Sequence, residues 1–134
     1  MHDDGYGELT SIDFSKEVIQ QMIKRNNEPT NKGKTRPSLK FRVMDATKMA
    51  GLEDSTFDVV MDKCLLDAVL CGEDSTRKAL KMLREVGRVL RAGGIYLMFS
   101  YAAPKHRIFY LRNRLVRMEV RCFKLQHMDA WLRG

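Results

Sequence analysis

Phe57-Asp-Val-Val-Met-Asp-Lys63 is a short, largely apolar run that closes on a charged pair. Thr56 to Met61 reads as a strand, with Phe57, Val59, Val60 and Met61 expected to be buried on both faces. A strand of that kind belongs in the middle of a parallel sheet with helices on each side. Working outward, strand and helix signals alternate. Upstream, Leu39 to Met44 alternates as a strand and ends at Asp45-Ala46. Before it, Glu8 to Asp13 is a β-prone run ending in an acid, and Ser15 is placed to cap a helix. Val18, Ile19, Met22 and Ile23 give that helix one apolar face, ending near Asn26. Asn26 to Ser38, with its prolines, glycine and polar residues, reads as a surface loop.

Downstream, Leu65 to Leu70 is a short apolar turn or helix. Asp74 or Ser75 is expected to cap a long helix buried through Ala79, Leu80, Met82, Leu83, Val86, Val89 and Leu90, and Gly93-Gly94 to end it. Ile95 to Ser100 follows as a strand. Beyond Pro104 the pattern predicts a helix through Leu115 and a strand from Met118 to Leu125. Alternation of this kind implies parallel strands joined by right-handed crossovers, hence an α/β layered sheet. Ligands bind such sheets outside the carboxyl ends of the strands. Those ends are Asp13, Asp45-Ala46, Asp62-Lys63 and Ser100-Tyr101, and three of the four begin with a carboxylate.

At 134 residues, 44% hydrophobic and 31% charged, the chain is sized and composed for one globular domain. No apolar run is long enough to span a bilayer, and the polar, acidic start is unlike a targeting peptide, so a cytoplasmic protein is expected. Cys64, Cys71 and Cys122 are widely spaced and lack the pairing of a zinc site; no metal is expected. The net charge of +7 is concentrated in the basic C-terminal segment 104–134, where eight Lys and Arg face two acids. A solvated basic face accounts for this segment, with a docking surface for an acidic partner as the sharper reading.

A carboxylate closing the second strand of a nucleoside-binding unit can accept from both ribose hydroxyls. Asp13 fits that position. The glycine-rich turn of such units lies roughly 20 residues before the acid, whereas twelve residues precede Asp13. The loop and the first, central strand are therefore expected upstream of Met1, with Met1 an internal methionine of a longer domain. Gly5-Tyr6-Gly7 reads as a turn, because no helix fits between it and the Asp13 strand.

Four segments together resemble the class I, seven-strand, Rossmann-like methyltransferases that use S-adenosylmethionine. They are Leu9-Thr-Ser-Ile-Asp13 with its helix, Met44-Asp-Ala46, Phe57 to Lys63, and Glu85-Val-Gly-Arg-Val-Leu-Arg-Ala-Gly-Gly94. Asp62-Lys63-Cys64-Leu-Leu-Asp67-Ala68 and Ser100 to Pro104 are similar to the branch that methylates lysines of elongation factor 1-alpha. The likeness fades after about Arg107, and Cys64 stands where that branch usually has glycine.

The resemblance implies an incomplete Rossmann-like sheet and a protein-lysine methyltransferase with S-adenosylmethionine as cofactor. Asp13 would hold the ribose, Asp45 the adenine amine with the Ala46 amide near the ring, and Asp62 would lie beside the sulfonium. Asp62 and Lys63 would serve catalysis at the entering substrate, a structural ion pair between them being the competing account. Cys64 is expected to be a small buried residue rather than a nucleophile. The implied partner is a protein substrate such as a translation elongation factor; nucleic acid and membrane are not expected. The alternative function is a catalytically inactive, methyltransferase-like binding module acting through the basic C-terminal segment. A nucleotide-dependent dehydrogenase shares Asp13 but finds no support in Asp62-Lys63 or Gly93-Gly94.

Overall fold

The computed structural model describes residues 7–28, 38–114, 116 and 118–123. Strand β1 (Leu9–Asp13), helix α1 (Lys16–Asn27) and strand β2 (Leu39–Val43) form a right-sized crossover unit in which β1 and β2 pair in parallel, from Leu9 opposite Leu39 to Asp13 opposite Val43. The helix starts where the chain chemistry directs: Ser15 Oγ accepts from the Val18 amide, and Asp13 Oδ1 accepts from the Ser15 amide at 2.8 Å. Glu17 in the first turn and Lys24 and Arg25 in the last complement the helix dipole.

The second unit runs β3 (Phe57–Lys63), α2 (Leu65–Leu70), α3 (Ser75–Val89), β4 (Leu90–Phe99) and α4 (Lys105–Leu111). β3 and β4 are parallel, and α3 crosses over their shared face. Helical spacing on α3 buries Ala79, Met82, Leu83, Val86 and Val89, as expected. Leu66, Leu111 and Val116 complete that core, and Tyr96 and Met98 of β4 pack against it.

Several expectations are corrected. Val59, Met61, Ile95 and Leu97 alternate onto the opposite face of β3 and β4, and each is more than a third exposed, so among the described residues β3 is covered on one side rather than two. On α1 only Ile19 is buried, while Val18, Met22 and Ile23 stay exposed. The α3 helix ends at Val89, before the glycines, which lie inside β4. Between Phe57 opposite Leu90 and Val59 opposite Ile95, β4 carries three extra residues, and Gly93 takes φ 79° within that bulge. Asp74 occupies the N-cap of α3 in the left-handed region and, instead of capping, pairs with Arg77. Residues 118–123 form no strand; the remainder of that expected strand, the Gly5-Tyr6 turn and most of the Asn26 to Ser38 loop lie outside the described residues.

Among the described residues the strands form two separate two-stranded sheets, β1 with β2 and β3 with β4. β1 and β3 do not pair. The two units are tied through the segment between β2 and β3. Arg88 of α3 donates from Nη2 to Met49 O and from Nη1 to Leu52 O, both at 2.8 Å, and from Nη1 to Asp54 Oδ1 at 2.6 Å. Glu85 takes Arg88 Nε and Nη2, each at 2.9 Å, and the Met49 amide at 2.6 Å. Met49 itself is buried.

A second tie fixes the end of β4. Asp67 accepts from Ser100 Oγ at 2.6 Å, the Tyr101 amide at 2.9 Å and Arg107 Nε at 2.8 Å. Burial opposes ionisation of Asp67, yet the Ser100, Tyr101 and Arg107 hydrogen bonds outweigh it and hold the carboxyl below its usual range. No helix of the described residues is long and apolar enough to cross a membrane.

Three outcomes test this packing. A Cβ on Gly94 would meet Arg91 O at 2.9 Å and Asp58 O at 3.2 Å, so Gly94→Ala should cost about 1–3 kcal/mol, read as a lower urea midpoint at unchanged slope. Cys64 stands at φ 63° in the left-handed region, ahead of α2. Cys64→Gly relieves that strain against a larger unfolded-state entropy and should gain about 0.5 kcal/mol; an unraised melting midpoint would show that thiol packing outweighs it. Because the folded pKa of Asp67 is depressed, its contribution is present above the ordinary carboxylate value and lost as pH falls through the folded one. Asp67→Asn should therefore cost about 2 kcal/mol at pH 7, with the difference from wild type shrinking below about pH 4 in denaturation curves taken across pH.

Candidate active site

The expected site residues come from strand ends, and the two units treat them differently. At the tips of β1 and β2, Asp13 lies opposite Val43, and the Met44 amide donates to Asp13 O at 2.8 Å. Asp13 is half-buried, with Oδ1 engaged by the Ser15 amide. Asp45 is exposed; its Oδ1 accepts from the Thr47 amide at 2.7 Å, closing an Asx turn. Each acid thus has one oxygen fixed by backbone and the other without a protein partner among the described residues. Ala46, between Asp45 and Thr47, is half-buried and packs against the main core.

That arrangement suits a nucleoside. Two oriented acceptors at adjacent strand tips match a ribose diol and an exocyclic amine, and the backbone bonds hold them in place before any ligand arrives. The local donors come from turn residues that follow each strand directly, so the geometry is built by short-range chain chemistry.

Asp62, at the end of β3, is the one buried acid among the described residues, at 4% exposure. Its Oδ1 accepts from the Leu65 amide at 2.6 Å, and its Oδ2 accepts from the Leu66 amide at 3.1 Å and from Tyr96 OH at 2.6 Å. The carboxylate therefore caps the start of α2 and anchors Tyr96, and no Asp62–Lys63 ion pair forms among the described residues. Burial, then the Asp62 charge and hydrogen bond, push the Tyr96 phenol far above its usual value, so it remains a donor. Lys63 is exposed beside it.

Cys64 is half-buried rather than buried. Burial and the charges of Asp67 and Asp62 raise its thiol above the usual value, which disfavours the nucleophilic thiolate. Its left-handed backbone is the conformation in which glycine is the least strained residue. Its amide donates to Phe99 O at 3.0 Å, joining the ends of β3 and β4. Ser100 and Tyr101 are held there by Asp67; Tyr101 is 66% exposed. Among the described residues, no group of three His, Cys, Asp or Glu could hold a metal ion.

Sequence reasoning missed the roles of Tyr96, Asp67, Glu85 and Arg88. Glu85 and Arg88 carried the one usable signal, an acid and a base three apart on a helix, but that spacing more often marks an exposed pair.

A family model described as a methyltransferase domain matches residues 2–128. The chain is 45% identical over 104 residues to eEF1A lysine and N-terminal methyltransferase of Mus musculus, a match covering 76% of this chain and 14% of that protein. It is 32% identical over 111 residues to EEF1A lysine methyltransferase 4 of Bos taurus, covering 77% of this chain and 40% of that one. The fold is also that of a SAM-dependent methyltransferase from Methanosarcina mazei, at TM-score 0.65 and 24% identity, covering 85% of this chain and 51% of the other. The chain thus spans a small part of its curated relatives, 14% of the first. Parallel strands, acids at their carboxyl ends and these matches agree: the chain belongs to the class I S-adenosylmethionine-dependent methyltransferase family, near its eEF1A lysine methyltransferase branch.

Proposed function

We propose that this domain binds S-adenosylmethionine and directs its methyl group to the amine of a lysine in a protein substrate. The observation that carries the reading is the pair of strand-tip acids, Asp13 and Asp45, each with one oxygen braced by a backbone amide. Asp13 takes the ribose hydroxyls; Asp45 takes the adenine amine, with the Ala46 backbone against the ring. The cofactor, when bound, supplies a methyl group on a sulfonium, which leaves by in-line displacement.

The chain's own part is alignment and charge. Asp62 acts through its field: buried and occupied by three donors, it favours positive charge at the end of β3 without offering an oxygen as base. The proton of an incoming lysine then goes to water. Lys63 and Tyr101, exposed at the ends of β3 and β4, border the path of the substrate. The names of the relatives point to eEF1A as a substrate of the same class, and a cytoplasmic site of action accords with it.

Titration of S-adenosylhomocysteine tests this, using the 134-residue chain and a form extended upstream by a strand and glycine-rich loop. Binding is expected in the extended form, and Asp13→Asn should weaken it about 10- to 100-fold through the lost charged acceptor. Labelled methyl transfer to elongation factor 1-alpha should fall in parallel. Wild-type affinity retained by Asp13→Asn would remove the acid from the ribose site; no binding by either form would remove the cofactor reading.

A further inference from the structure

We infer that Asp67 is a positioning residue for the protein substrate: it sets the backbone of residues 100–102 and thereby fixes where the exposed ring of Tyr101 meets the acceptor segment. The inference rests on the proposed function, which puts Lys63 and Tyr101 beside the path of the substrate, and adds to it a half-buried residue of α2.

Pairing between β3 and β4 ends with Lys63 opposite Phe99, closed by the Cys64 amide on Phe99 O. Helix α4 begins only at Lys105, and its first amides reach back to Ala103 O and Pro104 O. Residues 100–102 therefore belong neither to the ladder nor to the helix. Their hydrogen bonds converge on one carboxylate instead. Ser100 Oγ donates to Asp67 Oδ1 at 2.6 Å, the Tyr101 amide donates to Oδ2 at 2.9 Å, and the Ala102 amide donates to Ser100 Oγ at 3.1 Å. Arg107 Nε adds a bond from α4 to Oδ1 at 2.8 Å. The whole network lies within residues 67–107.

The result is a residue with a fixed main chain and an open side chain: the Tyr101 amide is spent on Asp67 while the residue is 66% exposed. An exposed aromatic ring offers a large contact area through few rotatable bonds, so what it contributes to binding depends on where its backbone is set. Asparagine at position 67 keeps the shape but not the acceptors. Its oxygen serves one side of the network, and its NH2 then confronts the Tyr101 amide or the Arg107 Nε, donor against donor. The nucleoside end, where Ser15 orients Asp13 and Thr47 orients Asp45, shares no bond with this network. Loss of the anchor is therefore felt by the protein substrate and not by the cofactor.

The test is a double-mutant cycle on methyl transfer to elongation factor 1-alpha, in whichever of the two forms binds S-adenosylhomocysteine. Wild type, Asp67→Asn, Tyr101→Ala and the double variant are compared at saturating S-adenosylmethionine, each at known folded fraction. Where Asp67→Asn does not fold, Ser100→Ala takes its place, since it removes both bonds of the hydroxyl and leaves the charge. Asp67→Asn should raise KM for the protein about tenfold, with kcat and S-adenosylhomocysteine affinity changed less than about twofold. Tyr101→Ala should raise KM by a similar factor, and adding Asp67→Asn to it should cost less than about a further twofold, because a residue acting through the ring has nothing left to act on. An effect of Asp67 on general stability or charge persists without the ring, so losses that multiply would overturn the inference. A wild-type KM in Asp67→Asn, or a parallel fall in S-adenosylhomocysteine affinity, would do the same. An unchanged KM in Tyr101→Ala would take the ring off the substrate path and sink the inference while the cofactor reading stands. Wild type that binds S-adenosylhomocysteine but transfers no methyl group to this acceptor would remove the acceptor reading and the inference together. If no form binds S-adenosylhomocysteine, the proposed function itself falls.

Discussion

The guanidinium of Arg88 is the constraint on which the arrangement of this chain depends. Two small parallel sheets, each with its own crossover, meet through the segment between β2 and β3, which Arg88 fastens to α3 alongside the Ser55 and Thr56 amide bonds and the packing of Ala46 on the core. A fork of five donors that all find acceptors is a stiff joint, and burial of Met49 beneath it adds an apolar anchor. Glu85 matters in two ways. It orients the fork, and it receives the Met49 amide, so that a backbone donor turned toward α3 is not left unpaired. With Arg88 and Glu85 hydrogen-bonded face to face, both stay charged: the hydrogen bond from Arg88 leads in holding the Glu85 carboxyl below its usual value.

The packing is uneven across the two sheets, and the unevenness explains which residues can act. α3 seals one face of β3 and β4, and the acid that points into that face, Asp62, is spent on the start of α2 and on Tyr96. On the β1–β2 side α1 contributes only one buried residue, and the strand-tip acids each keep an oxygen without a protein partner among the described residues. Burial thus divides the acids into one enclosed by protein donors and two with an oxygen left open. The exposed row of Val59, Met61, Ile95 and Leu97 belongs to the same asymmetry. These side chains have the β-branched and long aliphatic character of a strand interior, and it is the absence of a covering element among the described residues that leaves them open.

The element order was legible in the sequence because it rests on local chemistry: the Ser15 cap, the heptad-like face of α3, and acids closing short apolar runs. What misled was position relative to elements that periodicity cannot see. Phe57 to Met61 has the composition of a two-sided strand, yet composition reports what a strand could bury and not what lies against it. Gly93-Gly94 carries the signature of a helix end, but the same residues serve a bulge in β4, where Gly94 lies against Asp58 and Arg91 carbonyls. The positions of Asp13 and Asp45 at and just beyond strand ends were legible because strand ends are sequence-local. The Asp62–Tyr96 bond, the Asp67–Arg107 pair and the Arg88 clamp join residues 34 to 40 apart, and no local pattern encodes such pairings.

Asp67 and Asp62 show how a short helix can organise a site without touching a ligand. Both acids flank the first turn of α2, one before it and one within it. Asp62 satisfies amides that α2 would otherwise expose at its start, and Asp67 reaches the opposite way to bind Ser100, the Tyr101 amide and Arg107. The ends of β3 and β4 are joined again by the Cys64 amide on Phe99 O. A left-handed turn at residue 64 is what lets the chain leave β3, present that amide to β4 and enter α2 within three residues. For methyl transfer by in-line displacement, such rigidity is the protein's main lever, because the reacting groups need alignment and no acid–base relay. Residues 62–67 and 100–107 are therefore more a device for holding geometry than a store of reactive groups, with Lys63 and Tyr101 exposed at the strand ends that the buried residues brace.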